Sequence, residues 1–351
     1  MTRSSTFPRL SLWLYFCAGM VFCMIVIGAI TRLTESGLSM VEWKPLIGFI
    51  PPLSQEEWER VFDLYKQSPE FQQKNFWMGL DDFQRIFFWE WFHRLWGRLI
   101  GVVYALPFLF FLVRGMIPQG YRLKLFGLFL FGGAQGALGW FMVASGLVDV
   151  PAVSHYRLAA HLALAFLIMA LLLWTGLSIA RRGAAQAGDA ALYRHGWIVA
   201  LFFALAMIWG AFTAGLDGGL IYNEHFPMMR GDRWIPDDVW PAGGSIAWPA
   251  LWSTPGGAQF AHRWLAILAA LMMAGFWMRA RRRGAACMAV HALGAMALIQ
   301  PLLGILTLLS GVWLPVAVLH QAGAAVICVL LVINLQRVRP RPARNIRQTA
   351  N

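Results

Sequence analysis

The sequence predicts an all-α polytopic membrane protein, with eight transmembrane helices forming two tandem, parallel-related four-helix bundles. Three observations predict it. Of the 351 residues, 59% are hydrophobic and only 13% charged, against about 25% charged in an ordinary soluble domain. The apolar residues gather in continuous stretches near the ~20 residues that cross a ~30 Å hydrocarbon core as helix, without the alternation of barrel strands. Segments of the first half also recur in the second at matched spacing, the mark of an internal repeat.

Hydropathy places the spans at about 11–31, 87–113, 121–145, 156–180, 195–215, 259–279, 286–310 and 314–336. The first is long enough to stay as a span instead of being cleaved as a signal. A long loop follows it, residues 32–86, in which Ser54 and Glu57 have the spacing of a capping box opening a short amphipathic helix. The second long loop, residues 216–258, is rich in Trp, Pro and Gly. Both are expected to pack over one face as lids.

The other connections carry the positive charge. Arg3 and Arg9, then Arg114, Arg122 and Lys124, then Arg181, Arg182 and Arg194, then Arg279 and Arg281 to Arg283, and finally five tail arginines make up 17 of the 29 basic residues. They share that side with one acid, Asp189. By the positive-inside rule both termini are cytoplasmic. The net charge of +12 is therefore a topology signal, and nucleic acid is excluded as a partner. Cys17, Cys23, Cys287 and Cys328 lie in or beside apolar stretches without a CxxC pair, so buried thiols are expected, with neither disulfide nor zinc site.

The repeat is specific. Gly28-Ala-Ile-Thr31 with Gly37 matches Gly210-Ala-Phe-Thr213 with Gly219. Gln135, Gly139 and Gly146 match Gln300, Gly304 and Gly311. His93-Arg94 and His262-Arg263 each open a span after a long loop, and His161 and His320 begin the fourth and eighth spans. The chain divides into an N-terminal half, 1–185, and a C-terminal half, 186–351. An even number of spans per half sets the two copies the same way up.

Of eight histidines, His93, His161, His262 and His320 share repeat-equivalent places near the outer ends of their spans, His93 roughly 9 Å inside its helix at 1.5 Å per residue. Ionisable groups within a membrane are costly and mark function. Imidazole pairs suit iron, copper or zinc, and bis-histidine ligation of a haem explains one ligand per helix with no acidic pair beside it. Arg94, Arg98, Arg157 and Arg263 are candidate partners for haem propionates, with snorkelling to the interface as the competing role. His155, His195, His225 and His291 receive no ligand role. The halves differ at one place: three residues before His93 stands Glu90, and three before His262 stands Gln259. A carboxylate there can act as acid, base or charge stabiliser, which an amide cannot. One half is thus expected to do chemistry and the other to hold a resident group. A single Glu-x-x-His falls short of a di-iron bundle.

These residues resemble the haem A synthase family, in its alphaproteobacterial and mitochondrial form. The likeness rests on GAITRLTESGLSMVEWKPLIGFIPP at 28–52, EWFHRLWGRLIG at 90–101, YRLAAHL at 156–162, QFAHRWLA at 259–266 and LPVAVLHQ at 314–321. The resemblance implies an inner-membrane oxidoreductase that converts a methyl group of haem O to the formyl group of haem A by successive hydroxylations. It implies resident haem b on His262 and His320, substrate haem on His93 and His161, and Glu90 as the catalytic acid. It further implies contact with the farnesyltransferase that makes haem O and with cytochrome oxidase assembly factors. Some relatives have a cysteine pair in the first outer loop; none is present here. The electron acceptor has no motif of its own, and a homo-oligomer stays open. A dihaem cytochrome b is the alternative, disfavoured because all four histidines lie toward one face; a transporter, suggested by the repeat alone, is a more distant third.

Overall fold

A computed structural model describes residues 6–42, 48–147, 152–182, 188–241 and 244–340. Eight of its helices are long and apolar enough to cross a membrane: α1 (Thr6–Leu33), α3 (Leu80–Val113), α4 (Arg122–Ala144), α5 (His155–Ala180), α6 (Ala190–Gly215), α8 (Pro255–Arg282), α9 (Met288–Leu309) and α10 (Leu314–Val338). The long loops hold α2 (Gln55–Lys66), the single turn α7 (Ala250–Ser253), a π-helical turn at Phe71–Asn75 and a 3-10 turn at Gly218–Leu220. The chain is a multi-pass membrane protein. Residues 43–47 of the first quoted motif, Arg3 and the tail arginines beyond Pro340 lie outside the described residues.

Two apolar clusters organise the bundle. One joins α1, α3, α4 and α5 through Leu14, Ile25, Tyr104, Phe108, Phe166 and Met169. The other joins α6, α8, α9 and α10 through Leu192, Val199, Phe276, Leu293 and Leu331. Across the middle, α5 and α10 pack against each other and each against both α1 and α6, and Ala325 and Cys328 of α10 enter the first cluster. Polar contacts tie the two groups at both ends. Arg32, ending α1, pairs with Asp217 just beyond α6 at 2.7 Å and donates to the Ala214 carbonyl in the last turn of α6; Gln336 of α10 donates to Ser178 Oγ at 2.9 Å on α5. All four cysteines are free. Cys17 and Cys328 are buried, but Cys23 is exposed on the outside of α1, where a thiol can face lipid.

The third helix begins earlier than hydropathy places it. Asp81, Asp82, Gln84 and Arg85 hide its first turns from an apolar window, yet Phe83, Ile86 and Phe87 on the opposite face are buried. Asp82 accepts from the Gly79 N–H and caps the start. His93 therefore sits about 20 Å into its helix at 1.5 Å per residue, and the added turns form a platform for the first loop. On it lies α2, with Phe62 and Tyr65 stacked on Phe83 at centroid distances of 5.0 Å each. Ser54 accepts from Glu57 N as a capping box requires. The reciprocal bond differs: Glu57 Oε2 accepts from Leu53 N, one residue upstream of the cap.

Next to α2 lies Glu70, 4% exposed, accepting the Tyr65 hydroxyl at 2.9 Å, which in turn accepts from Asn75 at 2.8 Å. Burial pushes the Glu70 carboxyl up to about 7, with the negative charges of Glu90 and Glu35 adding to the rise and Tyr65 and Lys74 opposing it. A carboxyl held above its unfolded value binds more protons folded than unfolded between those two values, so it stabilises most at low pH and that contribution declines as pH rises toward 7. Protection factors of α2 amides, in which the intrinsic pH dependence of exchange is divided out, should therefore fall between pH 5 and pH 7.5, and Glu70→Gln should flatten the fall; an unaltered pH dependence of protection in that variant refutes the assignment.

Candidate functional site

Four imidazoles are seated in the same way. A Cβ built on Gly28 would meet His93 Cε1 at 3.2 Å; on Gly139, Gly210 and Gly304 it would meet His161, His262 and His320 Cε1 at 2.9 Å each. Each ring thus rests on the bare backbone of a neighbouring helix: α3 on α1, α5 on α4, α8 on α6 and α10 on α9. His161 and His320 each stand six residues into their helices. On α3 the same face continues from Glu90 through His93 and Arg94 to Gly97, whose added Cβ would touch Met24 at 3.4 Å, following the i, i+3, i+4, i+7 stripe of a helix turned toward one partner.

The partners of the rings fix their orientation. His262 Nδ1 donates to the Ala206 carbonyl at 2.8 Å, which leaves Nε2 as the free lone pair. Thr31 gives its hydroxyl proton to the Ile27 carbonyl at 2.9 Å, so its oxygen accepts from His93 Nδ1 at 3.3 Å. Gln135 and Gln300 hold the other two rings. Each donates from Nε2 to the main-chain carbonyl of its histidine, at 3.0 and 2.9 Å, and stands 3.3 Å from Nδ1. In both glutamines Oε1 is buried without a hydrogen-bond partner.

One helical turn outward, matched pairs clamp the two long loops. Glu90 is 3% exposed. Its Oε2 accepts from Ser39 Oγ at 2.7 Å and from Met40 N at 2.6 Å, and its other oxygen forms an ion pair with Arg94. Arg94 also donates to the Met40 carbonyl at 3.1 Å. In the second half Gln259 donates to the Gly218 and Ile221 carbonyls at 2.8 and 2.7 Å. Arg263, 6% exposed, donates to Gln259 Oε1 at 3.0 Å and to the carbonyls of Tyr222, His225, Pro227 and Met228.

The other sequence candidates are placed as follows. Arg98 donates to the Gly48 carbonyl at 3.1 Å; Arg157 donates to the Phe141 carbonyl at 2.8 Å and covers the Phe141 ring. His155 packs between Tyr156 and Phe212 where α5 meets α6. His291 accepts from the Trp277 indole at 3.1 Å. His225 meets Arg263 through its carbonyl. What sequence reading missed was the purpose of Gly28, Gly139, Gly210 and Gly304 and of the two glutamines. The signal was present, because all six stand in the repeat alignment, but equal spacing reveals equivalence and not contact.

The donor set tests which group such a site suits. His262 and His320 have ring centroids 6.3 Å apart and planes at 84°. Two nitrogen–metal bonds of about 2 Å and two ring radii of about 1 Å put axial imidazoles roughly 6 Å apart across one metal ion. Among the described residues no three His, Cys, Asp or Glu side chains gather around a metal position. Two nitrogens are too few for a bare ion, so a metal between them must bring its remaining ligands, as a macrocycle does. The residues fit a haem.

Fold and site together define a multi-pass membrane protein with two histidine pairs in its spans. Its family follows from comparison. The COX15-CtaA family, described as cytochrome oxidase assembly protein, matches residues 11–332, and the chain belongs to it. Similar proteins named Heme A synthase include one from Rhodospirillum centenum, 46% identical with 96% of this chain and 91% of the relative covered. Others are from Maricaulis maris, 46% identical with 94% and 96% covered, and Nitrosospira multiformis, 42% identical with 90% and 89% covered.

The clamp makes a measurable demand. Arg263→Gln strips buried carbonyls of their donor, at a cost of about 1–3 kcal/mol for each one left unsatisfied. It should lower the melting temperature and open residues 218–241 to protease. Arg233→Gln, which removes only the exposed pair with Asp237 on the same loop, should change neither.

Proposed function

We propose that this chain is a haem A synthase of a cell inner membrane, both termini cytoplasmic, oxidising a methyl group of haem O to the formyl group of haem A. The observation that carries the reading is the fourfold recurrence of an imidazole seated on a glycine, with a carboxylate added in one half only. The names of the relatives and the family description agree with it. Overall, a methyl group and one water become a formyl group with loss of four protons and four electrons. Such a reaction needs a fixed substrate, an electron path and a place for protons.

His262 and His320 would hold haem b in the half formed by 186–351, where it supplies one-electron transfer. His93 and His161 would bind substrate haem in the half formed by 1–185. The Nδ1 partners Thr31 and Ala206 keep Nε2 of His93 and His262 available, and Gln135 and Gln300 hold the opposing rings. Glu90 is the acid of the substrate half. Arg94 stabilises its charge, and the Ser39 hydroxyl, its one partner able both to give and to accept a proton, is the route by which a proton reaches or leaves Oε2. Of the propionate candidates, Arg263 is buried among carbonyls and Arg94 is paired with Glu90, which leaves Arg157, beside His161 on α5, as the one best placed to turn toward a haem edge. Haem O would arrive from the farnesyltransferase that makes it, and haem A would pass to oxidase assembly.

Glu90→Gln keeps the length of the side chain and removes the charge. It should leave the bound b-type spectrum intact while lowering conversion of haem O at least 100-fold, within the range usual for general acid–base catalysis. The ratio of haem O to haem A in extracted pigment reads the loss, and protease sensitivity of residues 34–42 separates it from simple release of the loop. Normal haem A output would sink the role. For the resident site, His262→Ala or His320→Ala should abolish the low-spin haem b spectrum. Gly304→Ala, whose methyl would stand 2.9 Å from His320 Cε1, should lower occupancy with both ligands still present.

A further inference from the structure

We propose that the crevice between α6 and α8 at the basic end of the bundle binds the headgroup of phosphatidylglycerol, its phosphodiester between Arg194 and Arg279 and its glycerol hydroxyl on His195 Nδ1. The crevice measures about 380 Å³ and is lined by Ala191, Arg194, His195, Ile198, Met272 and Arg279.

Charge is the first argument. Arg194 and Arg279 line one space, and among the described residues neither has a carboxylate within ion-pair distance. The single acid of that rim is already committed. Asp189 caps α6, accepting from Ala191 N and Leu192 N at 2.9 and 3.0 Å, and pairs with Arg283 at 2.8 Å. The Leu192 N–H and the Arg283 guanidinium hold its carboxyl below the usual carboxylate range. Two like charges facing one crevice favour an anion between them, and guanidinium forks match phosphate oxygens in pairs.

The imidazole is the second argument. His195 lines the same crevice, and its Nδ1 is buried with no partner. A neutral ring nitrogen donates or accepts according to the tautomer. A headgroup hydroxyl serves either role, whereas a phosphodiester oxygen serves only a donor. The third argument is the wall: Ile198, 47% exposed, and Met272 continue the crevice along the helices for an acyl chain. Beside it Tyr193 and Trp197 meet edge to face at 6.1 Å, aromatic residues suited to a membrane interface. Basic crevices between helices on the cytoplasmic side are where anionic lipids are recognised.

The test uses the full-length protein with its pigment, purified in detergent and read by native mass spectrometry and thermal melting. Phosphatidylglycerol should be retained as an adduct and raise the melting temperature, whereas phosphatidylcholine should not. The double variant Arg194→Gln, Arg279→Gln, with its pigment spectrum confirming the fold, should bind phosphatidylglycerol at least tenfold more weakly. His195→Phe should lose the preference for phosphatidylglycerol over phosphatidylmethanol, whose methyl-capped phosphodiester lacks the hydroxyl. Equal binding of phosphatidylcholine, undiminished affinity in the double variant, or an unchanged preference in His195→Phe would overturn the assignment. So would equal stabilisation by glycerol 3-phosphate at matched concentration, since the ligand would then be soluble.

Discussion

An imidazole in the middle of an apolar bundle must be held by something, and here it is held by the absence of a side chain. Each of the four histidines lies against a glycine on the adjacent helix, and even a methyl at three of those glycines would press within 2.9 Å of the ring. Protein interiors are too densely packed to absorb such an intrusion without displacing atoms. The pairing of α1 with α3, α4 with α5, α6 with α8 and α9 with α10 therefore sets where each ring stands, and Thr31, Ala206, Gln135 and Gln300 set how it turns. Any group bound between the rings inherits its position from those four helix contacts.

The next layer outward solves one problem twice with opposite polarity. A long loop must be fixed above each pair of histidines. In the first half a carboxylate accepts the loop's Met40 N–H and Ser39 hydroxyl; in the second an amide donates to the loop's Gly218 and Ile221 carbonyls. An arginine one turn on completes both clamps. Truncating one member of such a buried charged pair costs about 3–5 kcal/mol, so Glu90 has a structural share as well as the chemical one proposed for it. The Glu90–Gln259 difference thus exchanges a carboxylate for an amide without abandoning the clamp in either half.

The helices and the repeat were legible in sequence because hydropathy and spacing are local, one-dimensional properties. The start of α3 was not, because its first turns bury Phe83, Ile86 and Phe87 on one face while carrying Asp81, Asp82 and Arg85 on the others, and an averaging window sees only the mean. Glu90 was legible as an oddity beside His93; that its oxygens grip Ser39 and Met40 depends on how a loop folds back across some fifty residues of chain. The glycines were aligned without a purpose for the same reason. Spacing says which residues are equivalent, and only packing says what they touch.

The two flanks then differ in a way that bears on the proposed division of labour. Helix α4 buries only Leu125 and Leu128, both near its basic end, and no residue from 129 to 144 is buried. Its counterpart α9 buries Val290, Leu293, Ala297 and Leu308, the last near its far end. Glycines 132, 133 and 136 of α4 meet nothing that an added Cβ would touch. A half that keeps its group gains from continuous packing, because every buried apolar contact opposes opening. A half that must admit and release a large planar substrate at every turnover needs a flank that parts at low cost. Weak burial along the outer part of α4, beside the one histidine pair that has a carboxylate, is the packing that a substrate site requires and a resident site does not.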